Sequence, residues 1–451
     1  MTLPAANPSI WWTSLPDGVR IGVPDDLREM SRWVLEEQGD WFEDELRFVR
    51  GWFPEGGTAI DVGANYGCYT LSLAKRCGPT GRVIAFEPGA SVAAILERSV
   101  QANGFEQIRI VQAAVSDRSG TGWLRHLHTS ELGELAEPGS DEGPGESVDL
   151  VSLDDHLAAS PVDRLDYLKI DAEGAELAVL RGAESSLAAH SPLVMVELIH
   201  SGRLNVGLCE ALRQHGFDLY RLVPGLMVLA PFDDSVPADP FQLHVFACRA
   251  DRAEKLRRSG HLVTGHASPV PVDRGGLESW VVEHGECPRD PDWGAVPAPM
   301  LQSMAEYAAA MELDREVEDR SARLMAADAG LQGLTMTEPA LQASAAVIAA
   351  AAGWRGEAAE RLKSAVEGIR SGRGWNRRIP SLLRGVRGAG TGPDPEAFRV
   401  AILEGFERIR AWSSQFAGLS SERDLRLLAA MGRLSSDIVR RLEMESRVQR
   451  G

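Results

Sequence analysis

A chain of 451 residues, 44% hydrophobic and 25% charged, has the length for two or three domains, each with its own core. A formal charge of −18 excludes nucleic acid and anionic membrane as partners of the molecule as a whole. Five scattered cysteines (Cys68, Cys77, Cys209, Cys248, Cys287), with no CxxC pair, exclude a disulfide framework or a zinc ribbon and fit a reducing compartment.

The opening "MTLPAANPSIWW" has no basic or apolar signal-peptide region, and the longest apolar run, "ASAAVIAAAAGW", is too short to span a bilayer. The expectation is a soluble, cytoplasmic protein. From Asp25 to Phe53 the pattern is helical, with Phe42, Leu46, Val49 and Phe53 on one apolar stripe. Five of the eleven Trp fall in the first 52 residues, so residues 1–54 are expected to be a helical layer on the next domain. Trp41 or Trp52 covering a ligand is the sharper reading.

Over residues 55–250 strands and helices alternate. "TAIDV", "RVIAFEP", "IRIVQAAV", "DYLKIDAEG", "PLVMVEL", "DLYRLV" and "LHVFACR" read as strands; "YTLSLAKRC", "SVAAILERSVQANG" and "AELAVLRGAESSLAAH" read as helices. The fold class is α/β: a mostly parallel sheet with helices on both faces, its last two strands an antiparallel pair at one edge. Ligands of such sheets sit beyond the carboxyl ends of the strands, which gathers Asp61, Glu87, Asp171 and Glu197 around one crevice. Residues 131–146, rich in Gly, Pro and acid, predict a mobile loop or substrate lid, and the flanking "TGWLRHLH" and "ESVDLVSL" predict a hairpin. Residues 251–300 read as an irregular connector, and 301–451 as an all-α domain. There "ALQASAAVIAAAAGWRGEAAERLKSAV" has the look of a helical-repeat pair, and "RSGRGWNRRIPSLLRGVRG" (370–388) carries six Arg and no acid. That strip is a solvated face or a dock for an anionic partner.

The turn "DVGANYGC" decides the ligand. No Walker sequence is present, and the fingerprint G-x-G-x-x-G fails because residues 65 and 68 are Asn and Cys. Asp61 would repel a pyrophosphate. It would suit a ligand with positive charge and no phosphate, such as S-adenosyl-L-methionine. Gly63 and Gly67 allow close approach of the backbone, and Asn65 tolerates a left-handed turn. Glu87, ending "AFEP", can accept both ribose hydroxyls, and Ser116 with Asp117 lie where adenine would be met, or form a plain Asx turn.

In this order, "DVGANYGCYT", "AFEP", "AAVSDRSG", "VSLDDHL", "LKIDAEGAELAVLRGA" and "VELIH" resemble the FkbM-type S-adenosylmethionine-dependent methyltransferases, over about residues 40–250. The resemblance implies the class I methyltransferase (Rossmann-like) fold, with seven strands and an antiparallel last one, and O-methylation of a hydroxyl. It places Asp61, Gly63, Ala64, Asn65, Gly67 and Glu87 at the cofactor, with Asp117 near the adenine, and implies nothing for the last 200 residues.

Methyl transfer to an alcohol is an in-line displacement in which the hydroxyl loses its proton. Alignment is worth about 7–11 kcal/mol and a base roughly 10²–10⁴-fold. In "LKIDAEG", Lys169 and Asp171 point to the same side of the strand end, and Lys is scarce, four against 43 Arg. Asp171 is the first candidate for base or orienter, with Glu173, Glu197 and His200 as rivals. Capping the next helix is the plainer role for Asp171, and a surface loop the plainer place for His200. These four side chains also form a conceivable hard-cation set, though no tight ligand motif exists. The reading is a methyltransferase acting on a hydroxyl of a sugar or secondary metabolite, with a helical domain that recruits the acceptor. Its rivals are a catalytically silent scaffold and a nicotinamide oxidoreductase.

Overall fold

The computed structural model describes residues 9–126, 133–136, 143–200, 203–235, 238–264, 273–285, 287–288, 290–371, 376, 378–383, 395–410, 422–430, 432 and 434–448. Its chain forms two compact units. The first comprises Met1–Leu222, Pro231–Pro237 and Gln242–His261; the second comprises Val223–Ala230, Ala238–Phe241 and Leu262–Gly451.

The first unit opens with an antiparallel hairpin, β1 (Ile10–Ser14) and β2 (Arg20–Pro24), where a helical layer was expected. Trp11 and Trp12 face opposite sides of that hairpin, so the Trp run carries strand alternation and no helical stripe. The Gly22 amide donates to Ser99 Oγ at 3.0 Å, which ties β2 to a later helix. The helical pattern of residues 25–53 becomes two helices, α1 (Met30–Gln38) and α2 (Asp44–Trp52), because Gly39 turns left-handed (φ 74°) and stops the first.

The alternation then proceeds through β3 (Thr58–Val62), α3 (Cys68–Cys77), β4 (Arg82–Phe86), α4 (Ala90–Asn103), β5 (Ile108–Val111) and β6 (Ala114–Val115). A small second sheet, in the order β6–β9–β7–β8, is built from β6, β7 (Gly120–His126), β8 (Gly133–Leu135) and β9 (Gly145–Val151). β7 pairs antiparallel with both β8 and β9, so the expected hairpin is present. The loop expectation at 131–146 meets strand at β8. Residues 131–132 and 137–142 lie outside the described residues. There follow α5 (Leu153–Ala159), β10 (Tyr167–Ile170), α6 (Glu176–Arg181), α7 (Glu184–His190), β11 (Leu193–Glu197), β12 (Ile199–His200), β13 (Arg203–Leu204), α8 (Val206–Gln214) and β14 (Asp218–Val223). β15 (Val228–Pro231) falls almost wholly in the second unit, and β16 (His244–Cys248) and α9 (Ala250–Arg258) return to the first.

Within the first unit the main sheet runs β14–β16–β11–β10–β3–β4–β5. Its pairs are parallel except where β16 meets β11 and β14. This is the seven-stranded class I arrangement implied by the resemblance. Strands β3, β10 and β16 are buried along their whole length, as continuous apolar runs in a doubly covered sheet must be. Ile60, Val62, Ile84, Ile170, Val194 and Val196 pack under α5, α6 and α8 in one core.

The second unit holds α10 (Arg274–His284), α11 (Ala298–Ala310), α12 (Val317–Ala329), α13 (Pro339–Ala352), α14 (Arg355–Arg370), α15 (Pro395–Ile409), α16 (Glu422–Ala430) and α17 (Ser436–Val448). Consecutive helices α11–α12 and α13–α14 pack in pairs. Stacked alanines 343, 345, 346 and 349 let α13 lie deep in its core, and Gly353 (φ 92°) ends it. The Asp239 carboxylate accepts the Gly356 amide at 2.9 Å, at the start of α14. The stretch 251–300, read as irregular, carries α9 and α10; Glu254 pairs with Arg258 one turn on, at 2.6 Å. Of the Arg-rich strip, Arg378 pairs with Asp290 at 2.8 Å, while Arg373, Arg377, Arg384 and Arg387 lie outside the described residues. Among the described residues no helix is long and apolar enough to cross a membrane.

Candidate active site

The turn after β3 is over-determined. Gly63 and Ala64 both donate their amides to Phe86 O, at 3.1 and 3.0 Å, which locks the turn to the end of β4. A Cβ on Gly63 would sit 1.8 Å from the Asp171 carbonyl oxygen, and its φ is 76°, so glycine alone fits. Asn65 (φ 50°) and Gly67 (φ 97°) are also left-handed, and Gly67 precedes α3. The Asn65 amide donates to Glu87 Oε2 at 2.9 Å and the Gly89 amide to Oε1 at 2.8 Å. Burial pushes Glu87 up to about 7, against the pull of those two amide bonds. Each carboxylate oxygen keeps a second lone pair, the feature that a vicinal diol needs.

Strand register assembles the chemistry beside it. Lys169 lies opposite Asp61 on one side and Met195 on the other, and Glu197 lies opposite His244. Lys169 Nζ is 2.9 Å from Asp171 Oδ2, 3.6 Å from Asp61 Oδ1 and 3.4 Å from Gly63 O. Burial works against its charge, but Asp171 and Asp61 outweigh that and hold the ammonium protonated. Asp61 is 0% exposed and accepts Thr70 Oγ1 at 2.6 Å; burial raises it, with Lys169 opposing. A wholly enclosed carboxylate anchors the turn and offers no surface to a ligand.

Asp171, Glu173 and Glu197 gather at the carboxyl ends of β10 and β11. Burial alone would raise Asp171, yet Lys169 and His244 hold its carboxyl below the usual range. Glu197 goes the other way: burial, then Asp171 and Glu173, push it up to about 10. Burial and Asp171 push Glu173 up to about 7, and its backbone is left-handed at φ 49°. At neutral pH the pair is therefore a carboxylic acid, Glu197, beside a carboxylate, Asp171. Asp171 does not cap α6, whose N-cap is Ala175 without a side-chain cap bond; Glu176 Oε1 instead ties the preceding turn by accepting the Ala172 and Gly174 amides at 3.1 and 2.9 Å.

Ser116 is buried, while Asp117 is exposed and held by Arg118 at 3.1 Å and Arg181 at 3.4 Å. His200 is placed in β12, paired with Arg203; its side chain lies outside the described residues. Among the described residues no group of three His, Cys, Asp or Glu is set to hold a metal ion.

Four neighbours escaped the sequence reading. Tyr69 Oη donates to Glu43 Oε2 at 2.5 Å, and His244 lies 4.0 Å from Glu43 and 3.9 Å from Glu45. Burial pushes Glu45 up to about 7, eased by His244. Polar residues within otherwise apolar elements, such as His244 in "LHVFAC", were the available signal.

Residues 61–219 match the family described as Methyltransferase FkbM domain. The methyltransferase SdnD of Sordaria araneosa is 26% identical, over 37% of this chain and 76% of its own length. The AMB antimetabolite synthetase AmbE of Pseudomonas aeruginosa is 26% identical over 74% of this chain, which spans only 17% of that synthetase. The solved methyltransferase FkbM of Methylobacillus flagellatus aligns over 45% of this chain and 47% of its own, at 17% identity and a TM-score of 0.31. The similarity to the methyltransferase FkbM domain thus lies in residues 61–219, the stretch that carries the turn after β3, Glu87, Lys169 and Asp171.

Proposed function

We propose that this chain transfers a methyl group from S-adenosyl-L-methionine to a hydroxyl of a small metabolite. The observation that carries the reading is Glu87, cradled by the Asn65 and Gly89 amides, together with the Lys169–Asp171 ion pair, at the ends of β4 and β10, the two strands that flank β3. S-adenosyl-L-methionine, when bound, would supply an electrophilic methyl with a neutral thioether as leaving group. Glu87 would take the ribose diol, while Gly63, Ala64, Asn65 and Gly67 form the wall against it.

Asp171 would accept the hydrogen bond of the acceptor hydroxyl and then its proton. As the oxygen gains a third substituent, becoming an oxonium, its proton becomes strongly acidic, so a carboxylate held low by Lys169 is base enough. Lys169 is the positioning residue, spanning the cofactor turn and the base. Glu197, protonated, keeps a second negative charge away from Asp171. The SdnD and AmbE names, a methyltransferase and an antimetabolite synthetase, support a specialised metabolite as acceptor.

Calorimetry with S-adenosyl-L-methionine tests the first half. Glu87→Ala removes charge-assisted bonds worth about 1.5–3 kcal/mol, so affinity falls about tenfold or more. Unchanged affinity in a folded variant removes Glu87 from the ribose. Labelled-methyl transfer to hydroxyl metabolites tests the second: Asp171→Asn should lose kcat with cofactor affinity kept.

A further inference from the structure

We propose that a groove at the opposite end of the main sheet is a second ligand site, built to take a phosphate monoester on Arg82 and Arg109. The groove encloses about 820 Å³ and is floored by the first residues of β3, β4 and β5. That volume suits a small organic ligand.

Two guanidiniums converge there. Arg82 donates to Ser160 Oγ at 3.2 Å and to Pro161 O at 3.2 Å, and Arg109 donates to the same Ser160 Oγ at 2.9 Å. Among the described residues neither forms an ion pair with a carboxylate. The third arginine of the wall, Arg164, is already taken by Asp166 at 2.7 Å. Glu106 and Asp163 stand exposed on the rim and engage neither Arg82 nor Arg109.

A plainer role is to cap α5, which ends at Ala159. The end of a helix presents roughly half an elementary negative charge, less for a helix this short. Two full positive charges exceed that threefold or more, so most of the charge has no partner. A dianion with tetrahedral oxygens matches two convergent guanidinium forks, each able to donate two parallel hydrogen bonds.

His156, on the same helix, supplies a second observation. It is 9% exposed, and its Nε2 is buried with no hydrogen-bond partner. Burial lowers its pKa first, and Arg109 and then Arg82 lower it further, so the imidazole senses both guanidiniums. A strand of five residues separates the two ends of the sheet by about 17 Å. A phosphate held here cannot reach Asp171, so the site holds or regulates and does not react.

The test uses the full chain at constant ionic strength, with inorganic phosphate and adenosine 5′-monophosphate as probes. Saturable binding with Kd below about 1 mM is expected, weakened about tenfold or more by Arg109→Gln and lost in the Arg82→Gln/Arg109→Gln pair. Affinity for S-adenosyl-L-methionine should stay unchanged. Equal binding of the two probes assigns the phosphate alone; tighter binding of the nucleotide that persists with S-adenosyl-L-methionine saturating the cofactor site shows that the rest of the groove contributes. Proton NMR gives an independent readout: phosphate should raise the His156 midpoint by cancelling both guanidiniums. No saturable binding, binding indifferent to Arg109→Gln, or an unmoved His156 midpoint would overturn the proposal. Arg109 is exposed, so its variant remains informative if the pair fails to fold.

Discussion

Gly63 shows how one residue can carry a turn. A methyl group there would need the Asp171 carbonyl to move by more than an ångström, and an L residue at φ 76° adds strain of about 1–2 kcal/mol. Gly63→Ala should therefore cost well over 2 kcal/mol of stability, read by chemical denaturation, with cofactor binding lost. A variant as stable as the parent would mean that the turn relaxes freely. Glu87 offers a finer test. Its carboxyl sits near 7 in the free protein, and a diol hydrogen-bonds best to the ionised form. Adenosine, which has no amine titrating in this range, should bind more tightly as pH rises from about 6 to 8. The change should vanish in Glu87→Gln. The placement of Asp61, Glu87 and Asp171 near one crevice was legible, because strand ends are marked by where apolar runs stop. That Asp61 is wholly sealed while Glu87 keeps 8% exposure was illegible, since Thr70 and Lys169 close over Asp61 only through packing.

Among the elements, the strands were legible because each is a short, nearly unbroken apolar run, which only a doubly covered sheet accommodates. The β1–β2 hairpin was not: two adjacent Trp look the same in strand and helix, and Gly22 is needed where Ile10 and Trp12 close over it. The Glu43–His244 contact joins elements at opposite ends of the first unit's sequence, where periodicity says nothing. Within the second unit, α14 is held at its start by Asp239, a residue that no local capping pattern reveals. Asp239→Ala should destabilise that unit by about 1 kcal/mol, more than a surface change and less than a core cavity. A thermal transition shifted by less than a degree would show that water replaces the cap.

For the molecule as a whole, the buried acids set a pH dependence. Burial holds Glu45, Glu87 and Glu173 near 7 and Glu197 near 10, all in the first unit and all above their unfolded values. The folded state thus binds more protons than the unfolded one over this range. Its stability is full below about pH 4.5 for these groups and falls as pH rises through 7 and then 10. Asp154 and Asp171 act in the opposite sense, being held low and lost in acid. The first unit should be most stable near pH 5 and melt progressively earlier toward pH 9, as differential scanning calorimetry of the ligand-free protein would record. A melting temperature flat across that interval would show that these carboxyls are solvated.

The sheet's strand order also constrains how the chain is made. β16 lies between β11 and β14, yet it is synthesised after both. At roughly 5–20 residues per second, a ribosome needs about one to five seconds to add residues 224–248 once β14 has emerged. Throughout that interval the nascent sheet has a vacant slot between β14 and β11, toward one edge. It is bordered by Leu193–Glu197, an apolar strand whose hydrogen-bonding edge has nothing to pair with. The second unit's earliest segments, Val223–Ala230 and Ala238–Phe241, leave the ribosome in the same seconds, long before the helices they join. Synthesis therefore passes through one narrow window in which both units wait on chain not yet made.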